Sequence, residues 1–166
     1  MSRYRPPRKP GSPYITQAGR DRLKEEFDYL WREKRPQVTQ AVSEAAAQGD
    51  RSENAEYIYG KKQLREIDSR IRFLTKRLEV LQVVERLPSD QSAVYFGAWV
   101  ELENVEGELS CYRIVGADEY DMAPNYISID SPMARALLKK RAGDVVSVKG
   151  PSSAVEFEII TVRYAP

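Results

Sequence analysis

Two periods divide this chain. Up to about residue 87 the apolar positions recur at helical spacing, and beyond Pro88 they alternate with polar ones as strands do. In the first part Thr16 suits a helix N-cap, and Leu23, Phe27, Leu30 and Trp31 follow it at helical intervals. Pro36 lacks a backbone N–H and crowds the preceding turn, so a break or kink is expected there. Val38, Ala41, Val42 and Ala45 resume the stripe, and Gly49 ends it. The next stretch is more regular. Leu64, Ile67, Ile71, Leu74, Leu78 and Leu81 alternate intervals of three and four, which is the a/d seam of a coiled coil. Two such arms with a tight connection fold back as an antiparallel coiled-coil helical hairpin. At roughly 30 residues per arm the hairpin is about 45 Å long, so its tip, residues 48–54, is expected to project from the rest.

Beyond Pro88 the segments 93–102, 109–116, 125–129, 144–150 and 154–164 read as strands between turn-forming sequences. Residues 131–143 read as a helix, with Ser131 as N-cap, Pro132 at the first helical position, basic residues in the last turn and Gly143 after it. The fold class is therefore α+β: a helical hairpin over residues 14–87, then a small globular domain over 88–166. Residues 1–13 hold four prolines and four basic residues with nothing to bury, and read as a disordered basic tail.

Charge sharpens this division. Residues 1–87 carry 19 Lys and Arg against 13 Asp and Glu, whereas residues 88–166 carry 7 against 12. Such asymmetry points to different partners for the two halves, an anionic one for the first. The chain has no histidine and a single cysteine, Cys111. That excludes Ser-His-Asp and Cys-His catalysis, imidazole metal ligands and an internal disulfide. No apolar run is long enough to cross a membrane, and the basic N-terminus lacks the apolar core of a signal peptide. A soluble, cytoplasmic monomer is the expectation.

The candidate chemistry sits in the hairpin. Asp50 and Glu53 are three apart, which puts both carboxylates on one side of a helical or tight turn. Hard oxygen ligands of this kind suit Mg²⁺, but two carboxylates cannot hold it tightly alone and would complete a site that another molecule supplies. The plainer reading is capping: acids near a helix N-terminus are favoured by its dipole, and Ser52 is a candidate cap for the second arm. On the outer face of that arm Lys62, Arg65, Ser69, Arg72 and Lys76 form one stripe without a negative charge, a track for a phosphate backbone. Tyr57 and Tyr59, near the tip, suit either stacking on a base or packing within the hairpin. Met133, beside Pro132, suits either docking or core packing, and no catalytic constellation is visible beyond residue 88.

With these pieces in place the sequence resembles the bacterial Gre transcript-cleavage factors. The resemblance rests on "GDRSENAEY" (49–57), "LREIDSRIRFL" (64–74), "FGAWVELEN" (96–104) and "ISIDSPMARALLKK" (127–140), with "YLWREKRPQVT" (29–39) closer to the B type than the A type. It covers roughly residues 14–166, and the tail extends beyond the usual family start. It implies a coiled-coil hairpin followed by an FKBP-like globular domain. It also implies that the globular domain docks at the rim of the secondary channel of bacterial RNA polymerase while the hairpin enters that channel. There the factor stimulates the polymerase's own endonucleolytic cleavage of RNA in backtracked complexes. Asp50 and Glu53 would help hold the second Mg²⁺ of a two-metal site and orient the attacking water. Ser52, Asn54 and Tyr57 would support the tip, Lys62, Arg65, Arg72 and Lys76 would bind the nascent RNA 3′ segment, and Asp130, Ser131, Pro132 and Met133 would face polymerase. On this reading the protein is an auxiliary factor and not itself an enzyme. Two other readings stand beside it: a channel-binding regulator without a cleavage role, and a prolyl isomerase suggested by the globular fold alone.

Overall fold

The computed structural model describes residues 7–165, which divide into one unit from Arg20 to Leu81 and a second made by the chain on either side of it. In the hairpin unit, α1 (Gln17–Tyr29), a π-helical turn (Leu30–Lys34) and α2 (Arg35–Ala46) run on without a gap, and α3 (Ala55–Val80) returns antiparallel. Most of the seam expected for α3 is observed: Ile67, Ile71, Leu74 and Leu81 are buried, Leu64 and Leu78 are half-buried, and Arg77 is buried beside Leu78, while Leu23, Leu30, Val38 and Ala45 are buried on the first arm. Gly60 lies inside this packing, where an added Cβ would fall 2.7 Å from the Val42 side chain, so the missing side chain lets α2 approach α3. Arg70 pairs with Glu26 through two hydrogen bonds of 2.7 and 2.9 Å, and Arg35 pairs with Asp68 at 2.7 Å. Exposed pairs of this kind contribute only about 0–1 kcal/mol each, so burial along the seam carries the stability and the pairs help set its register.

The break expected at Pro36 does not occur. Leu30 and Val38 are both buried but stand eight residues apart, one more than a two-turn repeat supplies. The π turn takes up the extra residue: the N–H of Arg35 donates to the carbonyl of Leu30, five residues back, in place of the usual four. Pro36 then enters at the start of α2 without a break. The same shift turns Trp31 (54% exposed) and Ala41 outward, off the stripe in which the sequence pattern had set them.

In the second unit the five-stranded sheet has the order β5-β4-β3-β7-β6, built from β3 (Trp99–Asn104), β4 (Leu109–Val115), β5 (Tyr126–Ser128), β6 (Val145–Lys149) and β7 (Ala154–Arg163). All its neighbours are antiparallel except β4 and β5. One face is packed: Val100, Leu102, Ile114, Val146 and Ile159 form a core with Ala134 and Leu137 of α4 (Pro132–Leu137). Two expectations are corrected. The helix read over 131–143 stops at Leu137, because Leu138 turns extended, Lys139 takes φ 67°, and the N–H of Lys139 and carbonyl of Lys140 bond back to Val94. The strand read over 93–102 begins only at Trp99, because Tyr164 holds the preceding segment, donating to the Ala93 carbonyl at 2.5 Å and accepting from the Tyr95 N–H at 2.9 Å.

A small parallel pair, β1 (Tyr14–Ile15) with β2 (Gln82–Val83), ties the chain where it leaves this unit to where it re-enters. Its seat is polar. Glu119 is fully buried and accepts from the Thr16 N–H at 2.7 Å and the Thr16 hydroxyl at 2.5 Å. Thr16 in turn accepts from the Gly19 N–H at 3.1 Å, the cap expected for α1. Residues 1–6 of the basic tail lie outside the described residues, but the tail is not free through residue 13. The Ser12 N–H donates to Asp130 at 2.8 Å, its hydroxyl also bonds that carboxylate, and the Pro13 carbonyl accepts from Gln82 at 2.8 Å. No helix among the described residues is long and apolar enough to cross a membrane.

Candidate functional site

The hairpin tip is built from Asp50 outward. Gly49 takes φ 145°, a conformation that side chains rarely allow, and it redirects the chain after α2. The next residue turns on its own side chain: Asp50 Oδ1 accepts from the Ser52 N–H at 2.9 Å and from the Ser52 hydroxyl at 2.8 Å. These two bonds, the backbone one first, hold the Asp50 carboxyl below the usual carboxylate range. Asn54 closes the turn. Its Oδ1 accepts from the Tyr57 N–H at 3.1 Å as the N-cap of α3, and its Nδ2 donates to the Ala45 carbonyl at 2.6 Å at the end of α2. The cap read for Ser52 therefore belongs to Asn54, and the Ser52 hydroxyl is spent on Asp50.

Asp50 and Glu53 are both exposed, and they line one shallow hollow together with Glu56, which the three-residue spacing argument had missed. The Arg51 guanidinium lies over the Tyr57 ring, 5.7 Å from its centroid, and leaves Asp50 without a cationic partner among the described residues. A second Asp-x-Ser turn in the chain shows the contrast. Asp90 also accepts from Ser92, but there Arg141 pairs with the carboxylate. The turn chemistry is shared, and of the two acids only the one at the tip has no cationic partner among the described residues. The donor set at Asp50 and Glu53 consists of hard carboxylate oxygens, which fits Mg²⁺ as two of its ligands. Among the described residues no three Asp, Glu or Cys side chains come together as a complete metal site.

Along α3 the basic positions Lys62, Arg65, Arg72 and Lys76 are all exposed. Lys62, Arg65 and Ser69 line one open groove with Glu66, Arg70 and Phe73, whereas Arg72 and Lys76 lie outside it. Glu66 brings a negative charge into that groove. Phe73 is 47% exposed under the Arg70 guanidinium, and Tyr59 is 68% exposed while Tyr57 is half-buried. In the globular unit Ser131 caps α4 by accepting from the Ala134 N–H at 3.2 Å, and Pro132 takes the first helical position, both as expected. Met133 packs against the core, and Asp130 is bonded by Ser12.

Residues 13–83 match the family model described as transcription elongation factor, N-terminal, and residues 89–164 match that of the GreA/GreB C-terminal region. The chain is 60% identical over 166 residues to transcription elongation factor GreB of Pseudomonas aeruginosa, covering 100% of this chain and 99% of the relative. That alignment runs through residues 1–13, whereas the N-terminal family match begins at residue 13, so the tail precedes the family's usual start as expected. GreB of Haemophilus ducreyi is 60% identical over 153 residues, 92% of this chain and 94% of that protein. Among solved structures, GreA factor homolog 1 of Thermus thermophilus is 28% identical, with 90% of this chain and 97% of that one covered at a TM-score of 0.41.

Proposed function

The chain belongs to the GreA/GreB family of transcription elongation factors, and on that premise we propose that it enters the secondary channel of RNA polymerase and stimulates cleavage of RNA in backtracked complexes. The observation that carries this reading is the state of Asp50: an ionised carboxylate, aimed by Ser52 and unpaired with any cation among the described residues, beside the exposed Glu53. It stands at the end of a hairpin whose returning helix of 26 residues spans about 39 Å.

In this proposal the factor is not the nuclease. A Mg²⁺ shared with polymerase, when bound, supplies Lewis-acid activation of water and charge neutralisation at the scissile phosphate. Asp50 and Glu53 would be two of its ligands. Asp50 meets that role already deprotonated, so no proton has to leave it before a cation is bound. Asn54 keeps the two helix ends fixed to each other, which limits the conformational freedom that the acids would otherwise lose on engagement. Lys62, Arg65, Arg72 and Lys76 would hold the extruded RNA by its phosphates, while Asp130 and the start of α4 would face polymerase.

The test is to add the protein to polymerase complexes stalled in a backtracked state. New RNA 3′ ends that extend on addition of nucleotides support this reading. Occupancy of the channel with no new 3′ ends would instead make the protein a regulator that binds without promoting cleavage.

A further inference from the structure

The face of the five-stranded sheet turned away from the core carries a row of side chains that the tip and the basic stripe leave unexplained. Four residues on four adjacent strands stand in register: Tyr126 on β5 opposite Arg113 on β4, Arg113 opposite Trp99 on β3, and Trp99 opposite Arg163 on β7. The two guanidiniums flank one indole. Arg113 lies 5.6 Å and Arg163 lies 5.8 Å from the Trp99 ring centroid, and Arg113 also lies 5.4 Å from that of Tyr126. Trp99 and Tyr126 meet edge to face at 6.0 Å, and the Arg113 Nη1 donates to the Tyr126 hydroxyl at 3.1 Å. None of the four is buried.

Neither Arg113 nor Arg163 forms an ion pair among the described residues, although Glu101 stands one position further along the same face of β3. Arg113 also donates its Nε to the Gly97 carbonyl at 3.5 Å and Arg163 its Nη2 to Cys111 Sγ at 3.7 Å. Each guanidinium has five N–H groups, so others remain available on both, and their flexibility is already spent within a four-strand row. Trp, Tyr and Arg are the residue types that dominate binding energy at protein interfaces. Two unpaired guanidiniums call for carboxylates. A nucleic-acid backbone is the poorer fit, because Glu101 and Glu103 continue the same face on β3 and would repel a run of phosphates. A protein segment can instead place one or two carboxylates over the arginines and apolar groups against the Trp99 and Tyr126 edges.

We propose that this row, Tyr126–Arg113–Trp99–Arg163, is a docking surface for a carboxylate-bearing segment of a protein partner. Resting on the reading given above, that partner is RNA polymerase. The surface is separate in sequence from Asp130–Met133 and supplies the globular domain with cationic anchors that its negative overall charge conceals. Docking through these arginines makes the affinity depend on salt and on planar guanidinium groups, so lysine replaces them poorly.

The experiment measures binding of the full-length chain to RNA polymerase core enzyme by fluorescence anisotropy, for wild type, Arg163→Ala and the double variant Arg113→Glu/Arg163→Glu. Arg163 is exposed, so its removal leaves the fold intact, and thermal melting of each variant checks this. The expected result is about a tenfold loss of affinity for Arg163→Ala and a loss of about a hundredfold or more for the double variant, with melting temperatures close to wild type. Wild-type affinity in a folded double variant overturns the proposal. A double variant that keeps polymerase affinity but loses binding to a single-stranded RNA oligonucleotide overturns it too, and assigns the row to nucleic acid. If the wild type itself does not bind polymerase, the functional reading fails first and the named partner falls with it.

Discussion

Asn54 donates its side-chain amide to the carbonyl of Ala45 at 2.6 Å while accepting from Tyr57, so a single side chain caps α3 and fastens it to the last turn of α2. Asn54→Ala removes both bonds. The cap is worth about 1 kcal/mol and the cross-tip bond about another 1, so urea unfolding of the hairpin should report a loss of about 2 kcal/mol. Asn54→Asp keeps the capping acceptor and loses only the donor, and should recover about half of that.

Ser52 sets the ionisation of Asp50. Its backbone N–H is the larger influence and its hydroxyl the smaller, and both favour the carboxylate. Because the folded-state value is depressed, the associated stabilisation is present above the ordinary carboxylate value and is lost as pH falls through the depressed one. Ser52→Ala removes the hydroxyl alone, so the Asp50 titration followed by carbon NMR of its carboxyl should move upward part of the way. An unmoved midpoint would show that the hydroxyl has no hold on the acid.

Gly116 is where β1 seats. A Cβ there would fall 2.3 Å from the Tyr14 carbonyl oxygen, a backbone atom that cannot swing aside, and 3.0 Å from Glu119 Oε2. Gly116→Ala should therefore displace β1 at a cost of about 1–3 kcal/mol. Hydrogen exchange is the readout: the Thr16 amide, bonded to Glu119, and the Val84 amide, bonded to Ile15, should both exchange faster.

The basic stripe is expected to act through phosphates. Affinity of the full chain for single-stranded RNA should weaken with salt, and each phosphate contact removed should reduce the slope of log K against log salt by about 0.7. Lys62→Ala and Arg65→Ala, which share the groove with Phe73, should show this more strongly than Arg72→Ala or Lys76→Ala.

Much of this molecule is legible in its sequence, and the exceptions have identifiable causes. The α3 seam is readable because Leu64 to Leu81 keep one period, and the strands from Leu109 onward because apolar alternation survives on a sheet with a single packed face. The continuous first arm is not readable, since the rule that proline breaks a helix takes no account of the extra residue between Leu30 and Val38 that a π turn absorbs. The helix at 131–143 is overextended because the pull of Val94 on Lys139 and Lys140 is a long-range contact with no local signal. At the tip the residue types were evident but their division of labour was not. Ser52 and Asn54 are both good caps, and only the folded turn shows which one reaches the Tyr57 amide.

The central claim is that Asp50 and Glu53 act as charged oxygen donors at the polymerase active site. The most direct test is RNA cleavage in backtracked elongation complexes by wild type, Asp50→Asn and Glu53→Gln, with polymerase affinity measured in parallel. The substitutions keep size and remove charge. The expected result is that each lowers the cleavage rate at least about a hundredfold, the scale of losing one electrostatic group from an active site, while affinity stays within about threefold of wild type. Cleavage at the wild-type rate by the double variant Asp50→Asn/Glu53→Gln, at equal occupancy, would contradict it.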